Sequence, residues 1–138
     1  MDIWEKMKEH IFVDTSALYA LFNAKAKEHI EIKSFFNNFK GRAFITNYIF
    51  DEIITLVNAK AGHEKAVFVG DVLLKSPQLE RVWVTPDDEK KAWELFVLRN
   101  DKSYSFTDCT SFVVMRRIKI KNCLTLDGHF RQEGFEEI

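Results

Sequence analysis

Four acidic side chains in this sequence could do chemistry together. Asp14 follows "IFV", Glu52 lies in "TNYIFDEIITLV", Asp108 lies in "YSFTDCTS", and Asp127 follows "LTL". Placing carboxylates next to one another at the ends of apolar runs is costly. Two like unit charges about 4 Å apart repel by on the order of 4 kcal/mol at an effective dielectric of 20. Such a cluster persists by taking up protons or by holding a cation. Mg²⁺ and Mn²⁺ prefer oxygen ligands, and Mg²⁺ keeps several of its waters. An ion of this kind neutralises a phosphate and supplies an activated water, which is phosphodiester hydrolysis chemistry. The local alternative is that each Asp is a cap or turn residue, and that Glu52 is one more glutamate on a helix surface. Spacing by itself leaves both readings open.

The elements that must position these acids follow from periodicity. "HIFV" reads as a short buried strand, and "TSALYALF" opens a helix with Thr15 or Ser16 as its cap. "EHIEIKSFFNNF" has helical spacing, "AFIT" is a second strand, and "NYIFDEIITLVNAKA" is a helix that Gly62 stops. "HEKAVFVGDVLLKS" is a helix despite Gly70, "LERVWVT" a strand between the two prolines, and "DDEKKAWELFVLRN" a helix with acids in its first turn. "FTDCTSFVVMRRI" reads as a helix started by Thr107 or Asp108, "KNCLTL" as a strand, and "GFEEI" as a last short one. Alternating strands and helices predict an α/β fold: a three-layer α/β/α sandwich around a short, mainly parallel sheet. In such sheets ligands sit beyond the carboxyl ends of the strands. Asp14 and Asp127 fall at two such ends, Asp108 at a helix start, and Glu52 about one and a half turns into its helix.

Composition narrows the classes. With 138 residues the expectation is one domain, residues 1–138, able to bury a real core. Thirteen phenylalanines serve mainly that core. The net charge of -1 argues neither for nor against a polyanion, so nucleic-acid binding must come from local patches. Cys109 and Cys123 lack zinc-site spacing, and the five scattered glycines form no phosphate loop. The charged opening "MDIWEKMKEH" is no secretory signal and no apolar run suits a membrane span, so a cytoplasmic protein with reduced thiols is expected.

Taken together, these stretches resemble the PIN domain, and more narrowly the VapC-like ribonuclease toxins. "IFVDTSALYALF" resembles the family's opening strand and acid. "TNYIFDEIITLV" is similar to the helix bearing its glutamate. "YSFTDCTSFVVMRR" resembles the third acidic motif, and "CLTLDGHFRQEGF" the closing segment. The resemblance implies a Mg²⁺- or Mn²⁺-dependent endoribonuclease that cleaves single-stranded RNA. It implies Asp14 and Asp108 as principal metal ligands, completed by Glu52 and Asp127. Thr15, Ser16, Thr107 and Ser111 would orient carboxylates or phosphate, and Asp101 would be peripheral. It further implies a homodimer and a cognate antitoxin whose Arg or Lys could pair with the acids. Two PIN alternatives remain: a non-catalytic scaffold module, and a nuclease of RNA maturation or surveillance.

Other groups have two readings each. In "RRIKIK", Arg116, Arg117, Lys119 and Lys121 either contact a phosphate backbone or form a solvated helix end. Lys25 and Lys27 could likewise reach phosphates. His129 is either a proton shuttle or ligand, or a turn histidine. A catalytic Cys109 is disfavoured, because the neighbouring Asp108 would raise its pKa. No GxSxG elbow is present, and the haloacid-type Asp-x-Asp is replaced by Asp14, Thr15, Ser16. A receiver domain would want paired acids after the first strand, and Glu5 and Glu9 precede it.

Overall fold

The computed structural model describes residues 9–138. The opening residues 1–8, and with them Glu5 and the reading of that stretch as no secretory signal, lie outside the described residues. Strand β1 (His10–Val13) is followed by α1 (Thr15–Phe22), α2 (His29–Asn38), β2 (Arg42–Thr46), α3 (Asn47–Ala61), α4 (His63–Lys75) and β3 (Leu79–Val82). The chain continues through α5 (Pro86–Leu98), α6 (Phe106–Ile118), β4 (Asn122–Leu124), α7 (His129–Gln132) and β5 (Glu136–Glu137). All four strand pairings are parallel, in the order β3-β2-β1-β4-β5.

This order matters for function. The chain moves outward from β1 to β2 and β3, then crosses back to β4 on the other side of β1. Right-handed crossovers therefore put α1–α4 on one face and α5–α7 on the other. Side chains agree with this layering. Phe12 packs its ring 6.3 Å from Phe130 of α7. The neighbouring Val13 lines an apolar cavity with Leu18, Phe22 and Phe36 of α1 and α2. The reversal between β1 and β4 is a topological switch point, where a crevice opens beyond the strand ends.

Beneath that crevice the α7 face is held by aromatic packing. Phe112 of α6 lies 4.9 Å from Phe130 and 5.6 Å from Phe135, and Tyr104 lies 5.0 Å from Phe112. Phe12, Phe112 and Phe130 are fully buried.

Local details depart from expectation at element ends. The third strand stops at Val82, because Val84 donates its N–H to the Asn47 side chain and Thr85 caps α5. Helix α6 starts at Phe106, capped by Ser105 and not by Thr107 or Asp108. Helix α1 begins at Thr15, with Asp14 at the cap position and no side-chain capping bond. The short helix α7 was not anticipated. Among the described residues no helix is long and apolar enough to cross a membrane.

Gly41, just before β2, shows how tightly the edge is built. A Cβ there would lie 1.9 Å from the backbone oxygen of Glu9. Gly41→Ala is expected to destabilise the fold by about 1–3 kcal/mol, the range for overpacking. At Gly128, where the nearest atom is the Gln132 side chain at 3.9 Å, alanine is expected to cost under about 0.5 kcal/mol. Urea titration of the two variants checks the contrast.

Candidate metal centre

Asp14 leaves the end of β1 and is buried. Its backbone N–H still extends the sheet, donating to Leu124 O at 3.0 Å. Two hydroxyls donate to one oxygen of its carboxylate: Ser16 Oγ to Oδ2 at 2.9 Å and Thr125 Oγ1 to Oδ2 at 3.1 Å. Each hydroxyl in turn accepts a backbone N–H, from Leu126 at 2.9 Å and from Asp127 at 3.2 Å. The loop after β4 is thereby pinned to the loop after β1 across the switch point.

Asp108 is set by a different device. Ser105 and Asp108 form a capping box at the start of α6. Asp108 N–H donates to Ser105 Oγ at 3.0 Å, and Ser105 N–H donates to Asp108 Oδ2 at 3.0 Å. His129 Nδ1 also donates to that oxygen at 2.8 Å, so the imidazole proton sits on Nδ1 in this bond. His129 N–H donates to Asp127 Oδ1 at 3.0 Å, fixing Asp127 over the start of α7. The Asp108, Asp127 and His129 side chains each present a ligand atom within 4.8 Å of the others.

Glu52 is half-buried on α3. Tyr48, one turn earlier, lies 6.5 Å from Phe106 of α6. Residues four apart share a helix face, so Glu52 lies on the side of α3 turned toward α6. Among the described residues no hydrogen bond ties Glu52 to the other three acids.

The electrostatics of this corner are unbalanced. Burial, then the charges of Asp127 and Asp108, push the Asp14 carboxyl up to about 7, against the opposing Ser16 bond. Asp88 of α5 supplies an internal comparison. It occupies the same place in an identical capping box, with Thr85, and it is buried. Yet Arg117 grips it with Nε to Oδ1 at 3.0 Å and Nη2 to Oδ2 at 2.8 Å. Although burial works the other way, the Arg117 bonds and the Thr85 cap hold the Asp88 carboxyl below its usual value. Glu133 is similarly matched by Arg99 and Arg116. Among the described residues no Lys or Arg pairs with Asp14, Asp108 or Asp127. The fold equips its other buried acids with cations and leaves these without one.

The donor set, carboxylate oxygens with one imidazole, suits a hard divalent ion. Two buried hydroxyls near these acids, Thr15 Oγ1 and Ser111 Oγ, have no hydrogen-bond partner. They do not bond to the carboxylates, and Thr107 only accepts from Thr110 through its backbone oxygen at 2.7 Å. Of the hydroxyls expected to orient the acids, Ser16 does so. Thr125, Ser105 and His129 carry the rest, and Thr125 and Ser105 were missed. The Ser-x-x-Asp spacing of a capping box was the available signal for Ser105.

The basic stretch divides. Arg116 and Arg117, read as either phosphate contacts or a solvated helix end, are exposed but paired within the chain: Arg116 Nη2 lies 2.7 Å from Glu133 Oε2, and Arg117, besides gripping Asp88, donates to Trp83 O at 2.9 Å. Lys119 and Lys121 are exposed, and Lys119 closes α6 in the left-handed conformation at φ 60°. Asp101 is exposed beside Lys102. Burial and Asp108 push the Cys109 thiol up to about 11, which leaves it inert at neutral pH.

Acids gathered at the switch point of a parallel α/β/α fold define an acid-pocket α/β domain. Residues 11–136 match the PIN domain, and the chain belongs to that family. It is 38% identical over 128 residues to the 23S rRNA-specific endonuclease VapC20 of Mycobacterium tuberculosis, covering 93% of this chain and 97% of that protein. A VapC ribonuclease of Archaeoglobus fulgidus is 29% identical over 123 residues, covering 86% of this chain and 77% of that protein. The crystal structure of VapC20, described as a sarcin-ricin loop cleaving toxin, superposes with a TM-score of 0.87 over 93% of this chain and 98% of that one. The fold is also that of VapBC2 from Rickettsia felis, with a TM-score of 0.69 at 11% identity, covering 94% of this chain and 97% of that one.

Two outcomes are expected. The raised Asp14 pKa means its stabilising neutral form is fully present below about pH 4 and is lost as pH rises through about 7. Metal-free protein should therefore lose on the order of 3 kcal/mol between pH 5 and pH 8, and Asp14→Asn should remove that loss. The depressed carboxyls of Asp88 and Glu133 act only below this window. Thermal melts in chelator at both pH values check this, and a parent protein more stable at pH 8 would refute it. Arg117→Ala, which leaves Asp88 unpaired, should destabilise by about 1–3 kcal/mol while leaving the salt dependence of RNA binding unchanged.

Proposed function

We propose that this protein is a metal-dependent endoribonuclease of the VapC type, acting in the cytoplasm as one domain over residues 1–138. The observation that supports the metal is the contrast between two capping boxes of the same kind: Asp88 is paired with a guanidinium, and among the described residues Asp108 is not. Asp14, Asp108 and Asp127 would hold Mg²⁺ or Mn²⁺, with Glu52 completing the pocket directly or through water. When bound, the ion supplies charge neutralisation at a phosphate and an acidified water.

The chain's own groups prepare that chemistry. Ser16 and Thr125 fix the rotation of the Asp14 carboxylate and leave Oδ1 free of both hydroxyls. Ser105 and His129 hold Asp108 through Oδ2, again leaving Oδ1 unbound by either. His129 thus serves as a positioning residue that also neighbours Asp127, with Nδ1 3.8 Å from Asp127 Oδ1. Pinning three carboxylates before substrate arrives avoids reorganisation in the transition state.

The substrate in this reading is single-stranded RNA, and the descriptions of VapC20 as a 23S rRNA-specific endonuclease and a sarcin-ricin loop cleaving toxin support an RNA loop. A cognate antitoxin and a homodimeric state belong to the same reading. An antitoxin Arg or Lys entering the pocket would do for Asp108 what Arg117 does for Asp88.

Purified protein should cleave an RNA hairpin at its loop with Mg²⁺ or Mn²⁺ and not in chelator. Asp14→Asn and Asp108→Asn should each lower the rate at least about 100-fold, the scale of losing a group that stabilises charge in the transition state. Calorimetric Mn²⁺ binding should weaken in parallel. Cleavage by the double variant in chelator, or no Mn²⁺ heat at millimolar concentration, would refute the assignment.

A further inference from the structure

A second groove lies away from the acids, between the end of α1, the end of α3 and the start of α4. It has a volume of about 420 Å³, and its walls include Tyr19, Phe22, Lys25, Val57, Lys60 and Lys65. No carboxylate lines it. In a chain with 20 Lys+Arg against 21 Asp+Glu, that is a local excess of positive charge. Lys25 and Lys60 are exposed, Lys65 is half-buried with its ammonium 5.5 Å from the centre of the Phe68 ring, and among the described residues none of the three makes an ion pair. The groove beside α5 and α6 differs: there Lys91, Arg116 and Arg117 are paired with Asp87, Glu133 and Asp88.

Two helices connect this groove to the acid pocket. Helix α1 starts directly after Asp14 and ends at Phe22 on the groove wall. Helix α3 carries Glu52 near its start and Lys60 in its last turn. Eight residues of helix separate Glu52 from Lys60, which is about 12 Å at 1.5 Å per residue. Lysine ammoniums are mobile point charges that tolerate variable phosphate positions. Tyr19 and Phe22 offer ring surface among them.

We propose that the Lys25, Lys60 and Lys65 groove holds the phosphate backbone of the RNA substrate outside the scissile step, about two helical turns from the acids. This rests on the nuclease reading and extends it: the acids cut, and the lysine groove anchors flanking nucleotides. Substrates long enough to reach the groove gain affinity from it, and minimal ones do not.

The test uses the full chain, a fluorescently labelled RNA hairpin with a single-stranded loop, and a labelled tetranucleotide. Binding is followed by anisotropy in chelator across a salt series. Replacing Lys25, Lys60 and Lys65 by Ala should weaken hairpin binding at least tenfold at low salt. It should also reduce the slope of log affinity against log salt by about 2, since each single-strand phosphate contact contributes about 0.7. Lys→Arg at the same three positions should retain the slope. Tetranucleotide affinity and the Mn²⁺ binding heat should stay within twofold of the parent. An unchanged slope, or equal losses for both RNAs, overturns the proposal. So does unchanged RNA binding with lost binding of a poly-glutamate peptide, which would assign the groove to an acidic protein segment. Should the parent bind the hairpin through the groove but cleave nothing with Mg²⁺ or Mn²⁺, the groove stands and the nuclease reading falls.

Discussion

The structure is organised around a repulsion that the chain does not relieve by itself. Asp14, Asp108 and Asp127 are brought to one corner, yet among the described residues no guanidinium or ammonium pairs with them. Asp14 responds by holding its proton toward neutral pH. Elsewhere the same chain neutralises buried acids with care, as Arg117 does for Asp88 and Arg99 with Arg116 for Glu133. The unbalanced corner is therefore a selective feature of one place. A folded protein tolerates such a defect where function requires it.

Two kinds of local device hold the acids against that repulsion. At Asp14 the restraint is tertiary: hydroxyls from the loops after β1 and β4 converge on one oxygen. At Asp108 it is partly secondary, because a capping box places the carboxylate at the third position of α6. That position also lies in the positive field of a helix start, which favours an anion. The geometry is thus set by backbone amides and small hydroxyls, groups that do not compete with a divalent ion in charge.

Much of this was readable from residue order. "IFVD" gave a buried strand ending in an acid, and the alternation of periods gave the parallel α/β/α layering. Parallel topology then implied that Asp14 and Asp127 share an edge. What resisted reading was long-range pairing. Nothing local distinguishes Arg117, committed to Asp88 29 positions earlier, from a free surface cation. The same holds for Arg116 and Glu133. Thr125 looked like a plain strand residue because its role depends on a partner 111 positions away. Short-range signals such as the Ser105 cap were present in the sequence, but Thr107 and Asp108 competed for the same role. The three-residue reach of "WVT" beyond Val82 was lost to tertiary bonds that propensity cannot see.

The stitching of Thr125 to Asp14 carries a consequence for biosynthesis. The central strand is made long before the strand beside it and the hydroxyl that aims its acid, which lies 111 positions further along the chain. A nascent polypeptide that has emerged only through α6 lacks β4, the loop that follows it, and the imidazole that braces Asp108. Local helices can form by then, but long-range strand pairing cannot. The chain thus emerges beside the largest body of RNA in the cell with its acid pocket still unassembled, and completes it only after residues 122–129 have followed.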